Sequence, residues 1–102
     1  MNVTYLDNQK KSLNFYIKQA HYEKALIIAR NLINEYPKSS IYYQIMGKIQ
    51  SLMGETKLAV KYLNKAIELD PKNSLCYNSL AIALSEMGQY KKSLLFLNKD
   101  LE

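Results

Sequence analysis

The sequence predicts an all-α solenoid of antiparallel helix pairs, and three observations point to it. The chain repeats itself every 34 residues, a period marked by Pro37 and Pro71. Small residues recur in phase: Ala20, Gly54 and Gly88 share one register, and Ala25, Ala59 and Ser93 share another. No stretch shows the period-two alternation of a strand. A fixed period of this size denotes stacked copies of one supersecondary unit, each too small to bury its apolar face alone.

The period divides the chain into units 6–39, 40–73 and 74–102 of a single domain spanning 1–102, the third unit falling a few residues short. In the first, a helix is expected from about Asp7 to Gln19, then a turn at Ala20-His21, then a helix from Tyr22 to Glu35. In the second, a hydroxyl of Ser39 or Ser40 can cap a helix that runs to Leu52. Met53-Gly54 turns the chain, because glycine accepts positive φ. The next helix runs from about Glu55 to Leu69, and Asp70-Pro71 ends it, since the residue before proline is pushed out of the helical region. The third unit repeats the plan: a start at Asn73-Ser74, a turn at Met87-Gly88, and a last helix over roughly Gln89 to Leu101. The opening helix is atypical, with Gln9 and Ser12 where the other units carry Tyr43/Met46 and Tyr77/Leu80. Terminal repeats often depart in this way because one of their faces meets water.

Composition narrows the function. The chain has 102 residues, enough for one small domain, with 48% apolar and 23% charged residues, as in ordinary globular proteins. The opening residues lack the apolar run of a signal peptide, and no stretch approaches a membrane span. Cys76 is the only cysteine, so no internal disulfide forms. A cytoplasmic location is the expectation. The net charge of +5 is uneven: residues 6–39 carry six Lys/Arg against three acids, residues 40–73 five against three, and residues 74–102 three against three. Such a field favours acidic partners.

The repeated residues resemble the tetratricopeptide repeat, whose pattern is Trp-x2-Leu-Gly-x2-Tyr, then Ala-x3-Phe, then Pro. The middle unit reads Tyr43-x2-Met46-Gly47-x2-Gln50, Ala59-x3-Leu63, Pro71. The third reads Tyr77-x2-Leu80-Ala81-x2-Leu84, then Ser93-x3-Leu97, and the first keeps Tyr16, Ala25, Ala29 and Pro37. The resemblance implies a right-handed solenoid of three helix-turn-helix repeats, about six helices, acting as a non-catalytic protein-binding scaffold or adaptor. It also implies that the first helix of each pair lines a concave surface where extended or helical peptides bind. Gly47, Ala59 and Ala66 are small where helices must approach closely, and Tyr43, Tyr62 and Leu63 supply bulk around them.

Catalytic and metal chemistry find no footing. His21 is the only histidine, sits in an expected turn and has no ligand set around it, so no metal site and no triad can be built. There is no glycine-rich phosphate loop. Cys76 reads as a small packing residue near a helix start, without a second catalytic group. No catalytic residue, metal or cofactor is expected. Nine tyrosines invite a base-stacking reading. The repeat accounts for Tyr16, Tyr22, Tyr43, Tyr62, Tyr77 and Tyr90 as packing residues, and leaves Tyr5, Tyr36 and Tyr42 without a role.

The concave lining implied by the resemblance is Asp7, Lys10, Lys11, Asn14, Ile17 and Lys18 in the first unit. The second supplies Ile41, Gln44, Ile45, Lys48, Ser51 and Leu52, and the third Leu75, Asn78, Ser79, Ile82, Ser85 and Glu86. Helical spacing supports the grouping, since Gln44, Lys48 and Leu52 lie four apart, as do Asn78, Ile82 and Glu86, and Lys10, Asn14 and Lys18. Lys10, Lys11, Lys18 and Lys48 make one end positive. Asn14, Gln44 and Asn78 offer amides to a peptide backbone. Ile45, Leu52 and Ile82 form an apolar strip. An acidic peptide with one or two apolar anchors fits this description; the alternative is that the lysines are a solvated face. The repeats that hold carboxylate termini of heat-shock chaperones use Lys and Asn, then Asn, then Lys and Arg. Here those positions are Lys10, Asn14, Ile45, Leu75 and Ser79. Only the first two match, so a two-carboxylate clamp is not expected, although Lys10 and Asn14 can hold one acid.

The last expected helix carries Leu94-Leu95-Phe96-Leu97 and Leu101, and no polar capping helix follows it. Leu95, Phe96 and Leu101 are therefore candidates for an exposed interface, either to more repeats of a longer array or to a second copy as a homodimer. Three functions compete: a peptide-binding adaptor, a self-association or assembly module, and, least supported, a nucleic-acid binder. Many lysines, among them Lys57, Lys61, Lys65, Lys91 and Lys92, belong to second helices outside the groove, which weakens the last.

Overall fold

A computed structural model describes residues 3–88. Within them the chain forms five helices: α1 (Val3–Lys18), α2 (Tyr22–Glu35), α3 (Ser40–Leu52), α4 (Thr56–Leu69) and α5 (Ser74–Glu86). The element boundaries match the expected ones to within about a residue, save that α1 begins four residues before Asp7, at Val3. The last expected helix, with Tyr90, Leu95, Phe96 and Leu101, lies outside the described residues.

The turn inside each repeat uses one device three times. Ala20, Gly54 and Gly88 all adopt left-handed backbone, at φ of 59°, 80° and 77°. At the end of α1 the amide of His21 donates to the carbonyl of Tyr16, and that of Ala20 to Ile17. Glu55 and Gly54 donate in the same way to Gln50 and Ser51 after α3. This pair of bonds closes the open carbonyls of a helix end and reverses the chain in two residues.

Packing follows the period. Helices pair as α1–α2 and α3–α4; successive repeats join through α2–α3, α4–α5 and α3–α5. One core cluster gathers Leu13, Ala25, Ala29, Leu32, Tyr42, Met46 and Ile49, between the first two repeats. Another holds Leu63, Leu80 and Leu84, between the second and third. At Gly47 the helices approach closely: a Cβ there would lie 2.7 Å from Leu63 Cγ and 3.2 Å from the Ala59 carbonyl oxygen.

Two expectations are corrected here. Neither Ser39 nor Ser40 caps α3 through its side chain. Ser40 is buried and its hydroxyl donates to the Ala66 carbonyl at 2.8 Å, while accepting from Asn73 Nδ2 at 3.1 Å. The Ala66 carbonyl already accepts from the Asp70 amide at 3.0 Å, and the Ser40 hydroxyl occupies its second lone pair, which burial shields from water. Tyr36 and Tyr42, left without a role by the pattern, both pack. Tyr42 is in the core, Tyr36 is packed against it, and their rings are 5.8 Å apart. Cys76 holds the register of Tyr42 one repeat later and is fully buried, so this register is an inter-repeat packing position. Tyr5 is exposed, its hydroxyl accepting from Gln9 Nε2 at 2.7 Å.

Candidate functional site

Helices α1, α3 and α5 carry their small and apolar residues inward at every third or fourth position. The same spacing leaves a second stripe on each helix unfilled, and those stripes line a groove. Its larger recess, about 410 Å³, is lined by Asn14, Ile17, Gln44, Ile45, Lys48 and Ile82, with Ser51, Leu52, Leu75 and Ser79. Gly47 and Leu63 complete it: where glycine lacks a side chain, the buried Leu63 forms the floor. A smaller recess of about 270 Å³ adjoins it through Asn14 and Ile45, and adds Lys10 and Ile41.

The sequence-derived site thus assembles in part. Lys10, Asn14, Gln44, Ile45, Lys48 and Ile82 line one recess or both. Lys11, Lys18 and Asn78 are exposed on the same helices and line neither. Leu95, Phe96 and Leu101 fall outside the described residues. The apolar strip is longer than Ile45, Leu52 and Ile82 alone. Ile41, Leu52, Leu75 and Ile82 are 60%, 47%, 62% and 59% exposed, which is unusual for aliphatic side chains sharing one concave surface. Ile41 and Leu75 belonged to the expected lining but not to the strip. Their signal was present: Ile41 lies one turn before Ile45, and Leu75 two turns before Ile82.

Charge in the groove has one sign. Lys10 and Lys48 line it, and among the described residues no carboxylate does. Among the described residues, neither lysine is held in an ion pair. The positions Lys10, Asn14, Ile45, Leu75 and Ser79 do converge on these adjoining recesses. The exposed Leu75 and the half-buried Ser79 stand where the two further cations would be.

The other sequence candidates resolve as structural. His21 is exposed in its turn, its ring stacked on Tyr16 at 6.1 Å. Cys76 is buried, 3.9 Å from the Ser40 hydroxyl, and burial pushes its thiol pKa up, away from the reactive thiolate. Among the described residues no group of His, Cys, Asp and Glu is arranged to hold a metal. Among them, too, no helix is long and apolar enough to cross a membrane.

Stacked helix pairs with a groove along their first helices define the class of helical-repeat proteins. Comparison with known families gives the particular one. Profiles described as tetratricopeptide repeat match residues 14–39, 40–73 and 62–94 in tandem, and the chain belongs to that family. No curated protein matches it in sequence. Among solved structures, it is similar in fold to the first TPR of Spaghetti (RPAP3) bound to the HSP90 peptide SRMEEVD. There the TM-score is 0.89 at 15% identity, over 99% of this chain and 80% of that one. The TPR2B domain of yeast Sti1 in its pHsp70 complex gives a TM-score of 0.87 at 20% identity, over 92% of this chain and 75% of that one. The Sgt2 TPR domain from Aspergillus fumigatus gives 0.87 at 24%, over 92% of this chain and 62% of that one.

Proposed function

We propose that this chain is a non-catalytic interaction module that holds a peptide segment of a partner protein in the groove of α1, α3 and α5. One observation carries the reading: exposed aliphatic side chains share one concave surface with Lys10 and Lys48, which form no ion pair among the described residues. The structures similar in fold include two TPR domains bound to chaperones or their peptides, in keeping with a groove of this kind. The partner segment is acidic with apolar anchors, meeting Lys10 and Lys48 with its charge and the Leu75–Ile82 side with its aliphatic groups. Lys11 and Lys18 add to the field that draws it in. Lys10 with Asn14 holds one carboxylate, and the absence of cations at Leu75 and Ser79 disfavours a second. A cytoplasmic setting belongs to the same reading, and a lone thiol is at home there.

Peptide display against the parent chain and a Lys10→Glu/Lys48→Glu variant tests it. Acidic, apolar-anchored sequences should be enriched on the parent alone. Equal enrichment on both, or none, would remove the groove as the site. Self-association through Leu95, Phe96 and Leu101 is the second reading, favoured by the apolar run Leu94 to Leu97. It requires a concentration-dependent dimer that Phe96→Glu abolishes.

A further inference from the structure

Away from the groove, one face of α1 differs from its counterparts in the later repeats. Slid by the 34-residue period, Phe15 falls on Ile49 and Ala83. Those two have no exposed surface, yet Phe15 is 56% exposed. Asn8 falls on Tyr42 and Cys76, which are buried, and is itself exposed. In the later repeats this register meets the second helix of the repeat before: α2 lies against α3, and α4 against α5. Tyr42 and Ile49 share their core cluster with Leu26, Ala29 and Leu32 of α2. Among the described residues no second helix stands before α1.

What fits such a face is the second helix of a repeat, since both of its counterparts receive one. The covering stripe is visible on α4, where Val60, Leu63 and Ile67 pack with Leu80 and Leu84 of α5. One period on, that stripe is Leu94, Leu97 and Leu101, apolar at all three places. Resting on the second reading above for the segment that associates, we propose that the Phe15 face of α1 receives residues 89–102 of a second copy. The copies then join head to tail, continuing between chains the contact that joins repeats within one.

Charge favours this pairing over two α1 faces meeting each other. Residues 6–39 carry six Lys/Arg against three acids, so a head-to-head contact presses two basic units together. Residues 74–102 carry three against three and bring no net charge to α1. The contact is weaker than a junction inside the chain. Asn8 and Ser12 stand where the later repeats have Tyr42 or Cys76 and Met46 or Leu80, so less apolar surface is covered. Two different surfaces meet, so each added copy leaves one of each open, and association continues past a dimer.

Sedimentation velocity of the full chain at rising concentration tests this with two variants. Phe15→Glu alters only the receiving face, at an exposed position that tolerates the change. Leu101→Glu alters only the segment received. Circular dichroism checks that each keeps the parent's helix, and Leu101→Ser replaces Leu101→Glu if it does not. The parent should grow past a dimer, and each variant should associate about tenfold or more weakly. An equimolar mixture of the two variants should form a dimer that grows no further, because one intact face meets one intact segment. A parent that stops at a dimer, or a mixture no better than its components, would overturn the head-to-tail pairing and leave self-association standing. So would a Phe15→Glu variant that assembles like the parent while Leu101→Glu does not. Assembly unchanged in Leu101→Glu, or a parent that stays monomeric, would overturn this inference and the second reading together.

Discussion

Ala20 adopts the backbone conformation that its counterparts Gly54 and Gly88 adopt without a side chain. A Cβ in the left-handed region costs roughly 1–2 kcal/mol, partly offset because glycine loses more entropy on folding. Ala20→Gly should therefore stabilise the chain by about 0.5–1 kcal/mol, seen as a higher melting temperature, provided the turn keeps its two bonds to Tyr16 and Ile17. Gly47 has the opposite sensitivity. A methyl there would press on Leu63 and the Ala59 carbonyl, so Gly47→Ala should destabilise by about 1–3 kcal/mol. Ala59→Leu, at the facing position, should do the same by filling the same gap, and thermal denaturation of the two variants checks both. The 34-residue alignment made these positions legible, because close approach and reversed backbone each admit few residue types. Tyr42 was not legible. Its burial depends on α2 of the preceding repeat, a neighbour that no pattern within its own repeat specifies.

At the scale of elements, the junction of α3, α4 and α5 is held by polar groups that the pattern assigned to other duties. The Ser40 hydroxyl serves the end of α4, and Asn73 serves Ser40, so the start and the end of the second repeat, 40–73, are tied together. Beside them lies Cys76, with no exposed surface. Burial raises its pKa above the ordinary 9.0; the hydrogen bond shared with the Ser40 hydroxyl partly opposes this, and the nearby Asp70 charge adds to it. The sign follows: in the alkaline range the unfolded chain loses this proton first, so stability is complete below about pH 9 and falls as pH rises beyond it. Melting temperatures between pH 8 and 11 should fall more steeply for the parent than for Cys76→Ala, and the native thiol should react with a thiol reagent more slowly than the unfolded chain does. Equal slopes in the two proteins would show that Cys76 does not ionise against the fold. The element boundaries were readable from glycine, proline and period. The caps were not, because a serine before a helix has several acceptors within reach and only the packed neighbours decide among them.

Among the described residues of the scaffold, one stripe of α1, α3 and α5 is spent on packing and a second lines the groove. Much of the recess lining was expected once the family resemblance pointed to the first helices, Lys10, Asn14, Ile41, Gln44, Ile45, Lys48, Leu75 and Ile82 among it. How far Ile41 and Leu75 stand exposed could not be read, since that depends on which helices pack around them. The central claim is that this uncovered concave surface is where a partner binds. Amide chemical-shift mapping of the labelled chain with an acidic, apolar-anchored peptide tests it most directly. The account predicts shifts clustered on Lys10, Asn14, Gln44, Ile45, Lys48, Leu75 and Ile82, weakening as salt is raised. Shifts clustered instead on α2 and α4, the helices outside the groove, would contradict it.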